Sequence, residues 1–129
     1  MITRHTTIGD ERGKLIALES GVHIPFAVKR VFYIYGVNPS LRRGQHSHFK
    51  TKQYLIAVNG SCQVTLDNGK QRENYLLDKP NIGLFQDAMI WGTMHTFSKD
   101  CVLLVLANEN YDGADYIRNY DDYLRMKNL

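Results

Sequence analysis

The chain has 129 residues, 43% of them hydrophobic and 22% charged, with a formal net charge of +3. That length suits one domain with one core, expected to span residues 1–129, and the ordinary composition excludes a disordered or fibrous chain. Basic residues are scattered apart from Lys29-Arg30 and Arg42-Arg43, which excludes a nucleic-acid-binding stripe yet suits a small anionic ligand.

No stretch reaches the roughly 18 apolar residues of a membrane span, so no membrane partner is expected. No charged-then-apolar leader opens the sequence, and the expected location is cytoplasmic. Cys62 and Cys101 then read as buried thiols in a reducing compartment rather than as a disulfide.

In chain order, the first thirty residues read as irregular strands with a turn at Arg12-Gly13. Pro25 confines pairing there to an edge or an exchanged position. The β-branched and aromatic run Val31–Tyr35 predicts a strand, and the apolar run Tyr54–Val58 predicts another ending at the turn pair Asn59-Gly60. Ser61–Leu66 alternates polar and apolar, and Asp67-Asn68-Gly69 supplies residues tolerant of positive φ for a hairpin. Further strands are predicted around Glu73–Leu77, Ile82–Phe85, Ala88–Trp91 and Cys101–Ala107, with breaks at Pro80 and Asp100. Short strands this closely spaced indicate an all-β sandwich or barrel.

From Asp112 the period changes. Tyr116, Ile117, Tyr120, Tyr123 and Leu124 fall at helical spacing, with Asp112 as N-cap and Arg125 and Lys127 near the end. This predicts one amphipathic C-terminal helix whose tyrosines serve the core or a subunit interface.

The chemistry concentrates in Arg42-Arg43-Gly44-Gln45-His46-Ser47-His48. Two histidines two residues apart on a strand share a face. One reading is a metal site, since imidazole suits zinc, iron, nickel and copper. It needs a third and usually a fourth ligand, and the candidates are poor: Gln53 is a neutral amide, and Gly92 follows Trp91, with Asp87 and His95 further off. The other reading is an acid–base pair. Histidine exchanges protons near neutral pH, and moving a proton between adjacent carbons through an enediol needs two such functions. Arg43 would steady developing enolate charge or an anionic substrate tail. Two interior histidines with purely structural roles remain the plainer alternative.

The block RGQHSHFKTKQYLIAVNG resembles the first motif of the cupin superfamily, which implies a jelly-roll β-barrel with a C-terminal α-helix. Gln53 and Gly92 stand where that superfamily usually carries an acid and a histidine. More narrowly, ERGKLIALE, IPFAVKRVFYIYGV, RRGQHSHFKTKQ, NGSCQVTLDNG, IWGTMHTFSKDCVLLVLA and YDGADYIRNYDDYL occur in the order of the WxcM-like nucleotide-sugar 3,4-ketoisomerases. That resemblance implies metal-independent isomerisation of dTDP-4-keto-6-deoxy-D-glucose to a dTDP-3-keto-6-deoxyhexose, with no cofactor. Such a step precedes amination in making 3-amino-3,6-dideoxysugars. His46 is then assigned to the C3 proton and His48 to the oxygens, roles that the sequence allows to be exchanged. Arg43 is assigned to substrate polarisation or pyrophosphate. Arg12 and Arg30 are candidates for nucleotide phosphate, Tyr35 and Trp91 for the sugar or base pocket, and Gln53 for orienting a histidine or a sugar oxygen. The resemblance further implies a homodimer with exchanged N-terminal strands. The Arg12-Gly13 pair leans toward the galacto product. Competing expectations are a metal-dependent cupin enzyme, a sugar-nucleotide-binding barrel without activity, and an epimerase acting at C3 and C5.

Overall fold

A computed structural model describes residues 1–128. The strands, in chain order, are β1 (Ile2–Arg4), β2 (Ile8–Asp10), β3 (Gly13–Leu15), β4 (Arg30–Tyr35), β5 (Arg43–His48), β6 (Gln53–Asn59) and β7 (Cys62–Asp67). They continue with β8 (Arg72–Leu77), β9 (Ile82–Gln86), β10 (Trp91–His95), β11 (Val102–Ala107) and β12 (Tyr116–Ile117), before the helix α1 (Tyr120–Lys127). Two five-stranded sheets face each other, one in the order β1-β9-β6-β11-β4 and the other β12-β5-β10-β7-β8. This is the jelly-roll arrangement expected from the sequence, capped by a C-terminal helix. No helix among the described residues is long and apolar enough to cross a membrane.

Register explains where the core ends and the site begins. Directly opposed residues in antiparallel strands share a face. In the first sheet Phe32, Val105, Leu55 and Leu84 form one such row, buried against Cys62, Val64 and Leu77 of the second. Two residues along, the row becomes Arg30, Ala107, Gln53 and Gln86. One step of the pleat therefore converts an apolar core into a polar mouth. Cys62 and Cys101 lie in the apolar layer as free, buried thiols.

The opposite face of the first sheet is covered by the segment from Leu18 to Val28, which packs on Tyr54, Ile56, Phe85 and Leu106. The β2–β3 hairpin pairs only with itself among the described residues, and all six of its residues are exposed.

Two sequence expectations are corrected. The strand expected at Ala88–Trp91 starts only at Trp91, because Met89 takes a left-handed φ of 61° in a turn that donates from its N–H to the His48 carbonyl. The helix expected from Asp112 is three separate pieces. Asp112 caps a single 3-10 turn over Gly113–Asp115, Tyr116–Ile117 pairs with the free edge of β5, and the helix begins after Asn119. The Asn119 side chain accepts from the Asp122 N–H, which is the cap that starts α1. The strand pairing available at β5 outweighs helical spacing across Tyr116 and Ile117.

Candidate active site

β5 carries the site, and its backbone is unusual where it matters. Gly44 and Gln45 take φ values of 84° and 46°, and the pairing with β10 shifts register between Gly92 and Thr93. This β-bulge re-aims the strand so that His46 lies opposite Gly92. Gly44 is needed for its left-handed φ, and its backbone also passes so close to β10 that a Cβ would lie 3.1 Å from the Gly92 carbonyl oxygen.

His46 and His48 point to the inner face, with ring centroids 4.8 Å apart and planes at 86°. His46 Nδ1 lies 2.6 Å from the Gly44 carbonyl oxygen. A carbonyl only accepts, so Nδ1 carries the hydrogen and Nε2 keeps its lone pair free. His48 is 3% exposed, and its Nε2 is buried without a partner among the described residues. Burial pushes the His48 imidazole down to about 4, aided by His46, Arg30 and Arg118 and opposed by Asp115. Burial also lowers His46, with the Gly44 hydrogen bond acting against it and Arg118 with it. Both rings are therefore neutral near pH 7, able to accept as well as to donate.

Facing them is the polar row of the first sheet. Gln86 fills the space beside Gly92: a Cβ there would sit 2.5 Å from Gln86 Nε2. Gln86 itself donates to the Ile90 carbonyl at 3.1 Å and pairs in register with Gln53. Two imidazoles and two amides do not make the donor set of a divalent-metal centre. Among the described residues no three His, Cys, Asp or Glu side chains converge on one point.

Of the residues singled out from sequence, His46, His48, Gln53 and Arg30 come together at this mouth. Arg30 is near enough to influence His48, with its Nε buried and its guanidinium over Phe32 and Tyr111. Arg43 opens β5 and lines, with His46, Tyr116 and Arg118, an open cavity of about 360 Å³. Three candidates fall elsewhere within the chain. Arg12 sits at the tip of the β2–β3 hairpin, 86% exposed and paired with Asp10. Tyr35 is 69% exposed, on the outward parity of β4 beside Tyr33, because Arg30, Phe32 and Ile34 take the inward positions. Trp91 is turned out by the same alternation on β10 and packs against Tyr120 and Tyr123 of α1. His95, left without a role, is hydrogen-bonded to Thr65 and Asn74, whose strands belong to the second sheet.

Sequence reasoning missed Tyr116, Arg118, Gln86 and Asp115. Tyr116 lies opposite His48 in register, its ring 4.5 Å from His48 and 4.9 Å from His46. The one signal available was Gly113, a poor residue for a helix interior, shortly before that tyrosine. The buried Asp115 carboxylate accepts from the Lys50 and Thr51 N–H groups and from the Thr51 hydroxyl.

A jelly-roll barrel whose mouth holds a neutral histidine pair, amides in place of further metal ligands and cationic flanks is a cupin-type barrel equipped for proton transfer. Residues 1–128 match the family described as FdtA, WxcM-like, C-terminal, and the chain belongs to that family. It is 46% identical over 114 residues to a TDP-4-oxo-6-deoxy-α-D-glucose-3,4-oxoisomerase from Aneurinibacillus thermoaerophilus, covering 88% of this chain and 82% of that protein. A 3,4-ketoisomerase from Helicobacter canadensis superposes with a TM-score of 0.97 at 43% identity, over 100% of this chain and 97% of that one. A histidine-to-asparagine mutant of a 3,4-ketoisomerase from Thermoanaerobacterium thermosaccharolyticum, in complex with TDP-4-keto-6-deoxyglucose, gives 0.95 at 40% identity, over 98% of this chain and 92% of that one.

Proposed function

We propose that this protein is a TDP-4-keto-6-deoxy-D-glucose 3,4-ketoisomerase working by proton transfer through an enediol. The observation that carries the reading is His46, whose Nδ1 is committed to Gly44 and whose Nε2 is left as a free base beside a second neutral imidazole. Its relatives' activity supports the same reading.

In the proposed sequence, His46 Nε2 removes the hydrogen from C3, which is acidified by the C4 carbonyl. His48 supplies a proton to O4, giving the 3,4-enediol. His48 then takes the O3 proton as the carbonyl forms at C3, and His46 returns its proton to C4. Atoms and charge balance with no external reagent. Arg43 steadies the developing oxyanion or the diphosphate, and Arg30 and Gln53 contact the sugar nucleotide from the facing sheet. The donor set supports a reaction that needs no metal.

In this sequence of steps His46 both removes the C3 hydrogen and returns it to C4, so the proton goes back on the face from which it left. C4 is trigonal in the 4-keto substrate, and a hydrogen delivered to it on the face that carried the C3 hydrogen sets the galacto configuration. A 3-keto sugar of this kind is the substrate class an aminotransferase converts to a 3-amino-3,6-dideoxysugar.

A second subunit is part of the proposal. An apolar groove of about 560 Å³ on the outer face of the first sheet is lined by Ile16, Leu18, Ile56, Val58 and Leu104. Beside it Val31, Tyr33 and Tyr35 stand exposed on β4, and the β2–β3 hairpin projects free. These features suit a homodimer exchanging N-terminal strands, in which Arg12 would reach the partner.

The test is incubation with TDP-4-keto-6-deoxyglucose in D2O, followed by NMR of the product. A 3-keto sugar of galacto configuration is expected, with deuterium at C4 diluted by internal return. A ketone that stays at C4, with exchange at C3 and C5, would mean epimerisation instead. His46→Asn and His48→Asn should each lower turnover by about 100-fold or more while the fold is kept.

A further inference from the structure

Resting on the ketoisomerase reading, we propose that Tyr116, with Arg118 stacked over it, is the positioning residue that holds the two imidazoles at their working angle.

The two rings stand nearly perpendicular at 4.8 Å, yet hydrogen bonds account for only one of them. His46 is fixed through Nδ1 to Gly44, whereas His48 Nε2 has no partner among the described residues. Packing must supply what hydrogen bonding does not. The Tyr116 ring lies 4.5 Å from His48 and 4.9 Å from His46, tilted 60° to each, so one aromatic surface bears on both. Its strand is two residues long and would fray alone. It is pinned because Asp115, next to Tyr116, gathers Lys50 and Thr51 onto its carboxylate while its carbonyl accepts from the Phe49 N–H. Fixing a reactive group through the shell behind it is the general device for holding acid–base residues in place.

Arg118 adds charge to this geometry. Its Cζ lies 4.3 Å from the Tyr116 ring centroid, and it shares the cavity wall with His46 and Arg43. A cation held there opposes protonation of both imidazoles; Arg30 acts with it and Asp115 against it at His48, and Arg42 and Arg43 share the cavity wall with His46. Tyr116 thus sets the angle, and Arg118 adds to the burial that keeps the pair neutral.

Three variants test this. Tyr116→Leu should lower kcat by about 30- to 100-fold with KM within about threefold, since misplacing a reactive group by an ångström costs on that order. Tyr116→Phe should recover most of that loss. If Phe is as impaired as Leu, the phenol hydroxyl takes part in chemistry and the positioning role is overturned. In Arg118→Gln, NMR titration of His46 and His48 should show both pKa values higher than in the wild type, and the acid limb of kcat/KM should move to higher pH. Unmoved imidazole titrations would overturn the role of Arg118. The titrations need no substrate and decide the role of Arg118; should Tyr116→Leu not fold, Tyr116→Phe decides that of Tyr116, near-wild-type kcat supporting positioning by the ring and a loss of about 30-fold or more overturning it. They also separate it from the function: wild-type protein yielding no 3-keto product would overturn the ketoisomerase reading alone.

Discussion

His46 and His48 are identical side chains two residues apart, yet their surroundings differ. The Gly44 carbonyl selects one tautomer of His46 and leaves Nε2 available, whereas His48 is enclosed and shifted down to about 4. The sign of the pH effect follows. An ordinary histidine at 6.5 is protonated in the unfolded chain as pH falls from 6.5 toward 4, while folded His48 stays neutral. The unfolded state binds more protons across that window, so stability should drop on acidification, by on the order of 3 kcal/mol, and level off below it. Denaturant titrations at pH 7, 5.5 and 4 check this, with His48→Asn as the control that should flatten the dependence. An equal slope in the variant would show that other groups set it. Activity should persist below the ordinary histidine range for the same reason, since both imidazoles resist protonation.

β12 is the element that turns a histidine pair into an enclosed site, and it depends on Asp115. Replacing that buried carboxylate by asparagine leaves at least one of its three donors unsatisfied. Asp115→Asn should therefore cost about 2–3 kcal/mol in denaturant unfolding and lower kcat as Tyr116 loses its anchor. A loss of stability with full turnover would mean that β12 is not what holds the site. This element was also the least legible in the sequence. Tyr116, Ile117, Tyr120 and Tyr123 fit a helical period, and nothing local signals that β5 offers an unpaired edge some seventy residues earlier; only tertiary pairing decides it. The histidines were legible because strand alternation is local, and so was the turn at Asn59-Gly60. That Tyr35 and Trp91 face away from the histidine mouth was not legible, because knowing that a residue is on a strand does not give its parity. Gly92 opposite His46 depended on a bulge, which no periodicity encodes.

Across the whole molecule, the two faces of the first sheet do different jobs. The inner face passes from apolar core to polar mouth, while the outer face keeps an apolar groove and an exposed row of Val31, Tyr33 and Tyr35. The proposed second copy of the chain, seated there, would cover both. Light scattering should give a mass near twice the 14.9 kDa of one chain, and Tyr33→Glu with Tyr35→Glu should shift it toward the monomer. A monomeric wild type would remove the exchanged-strand arrangement. The close approach of Gln86 to Gly92 bears on which chemistries this barrel can reach by mutation. The barrel has room for one side chain at that point, and Gln86 reaches across from the other sheet to take it. A histidine at 92 would put its first carbon 2.5 Å from the Gln86 amide nitrogen, so that flexible amide end must swing aside before a third imidazole can stand beside His46 and His48. Swinging it aside gives up its hydrogen bond to the Ile90 carbonyl. A mutational path from this proton-handling barrel toward a metal-binding one therefore begins with displacing one amide.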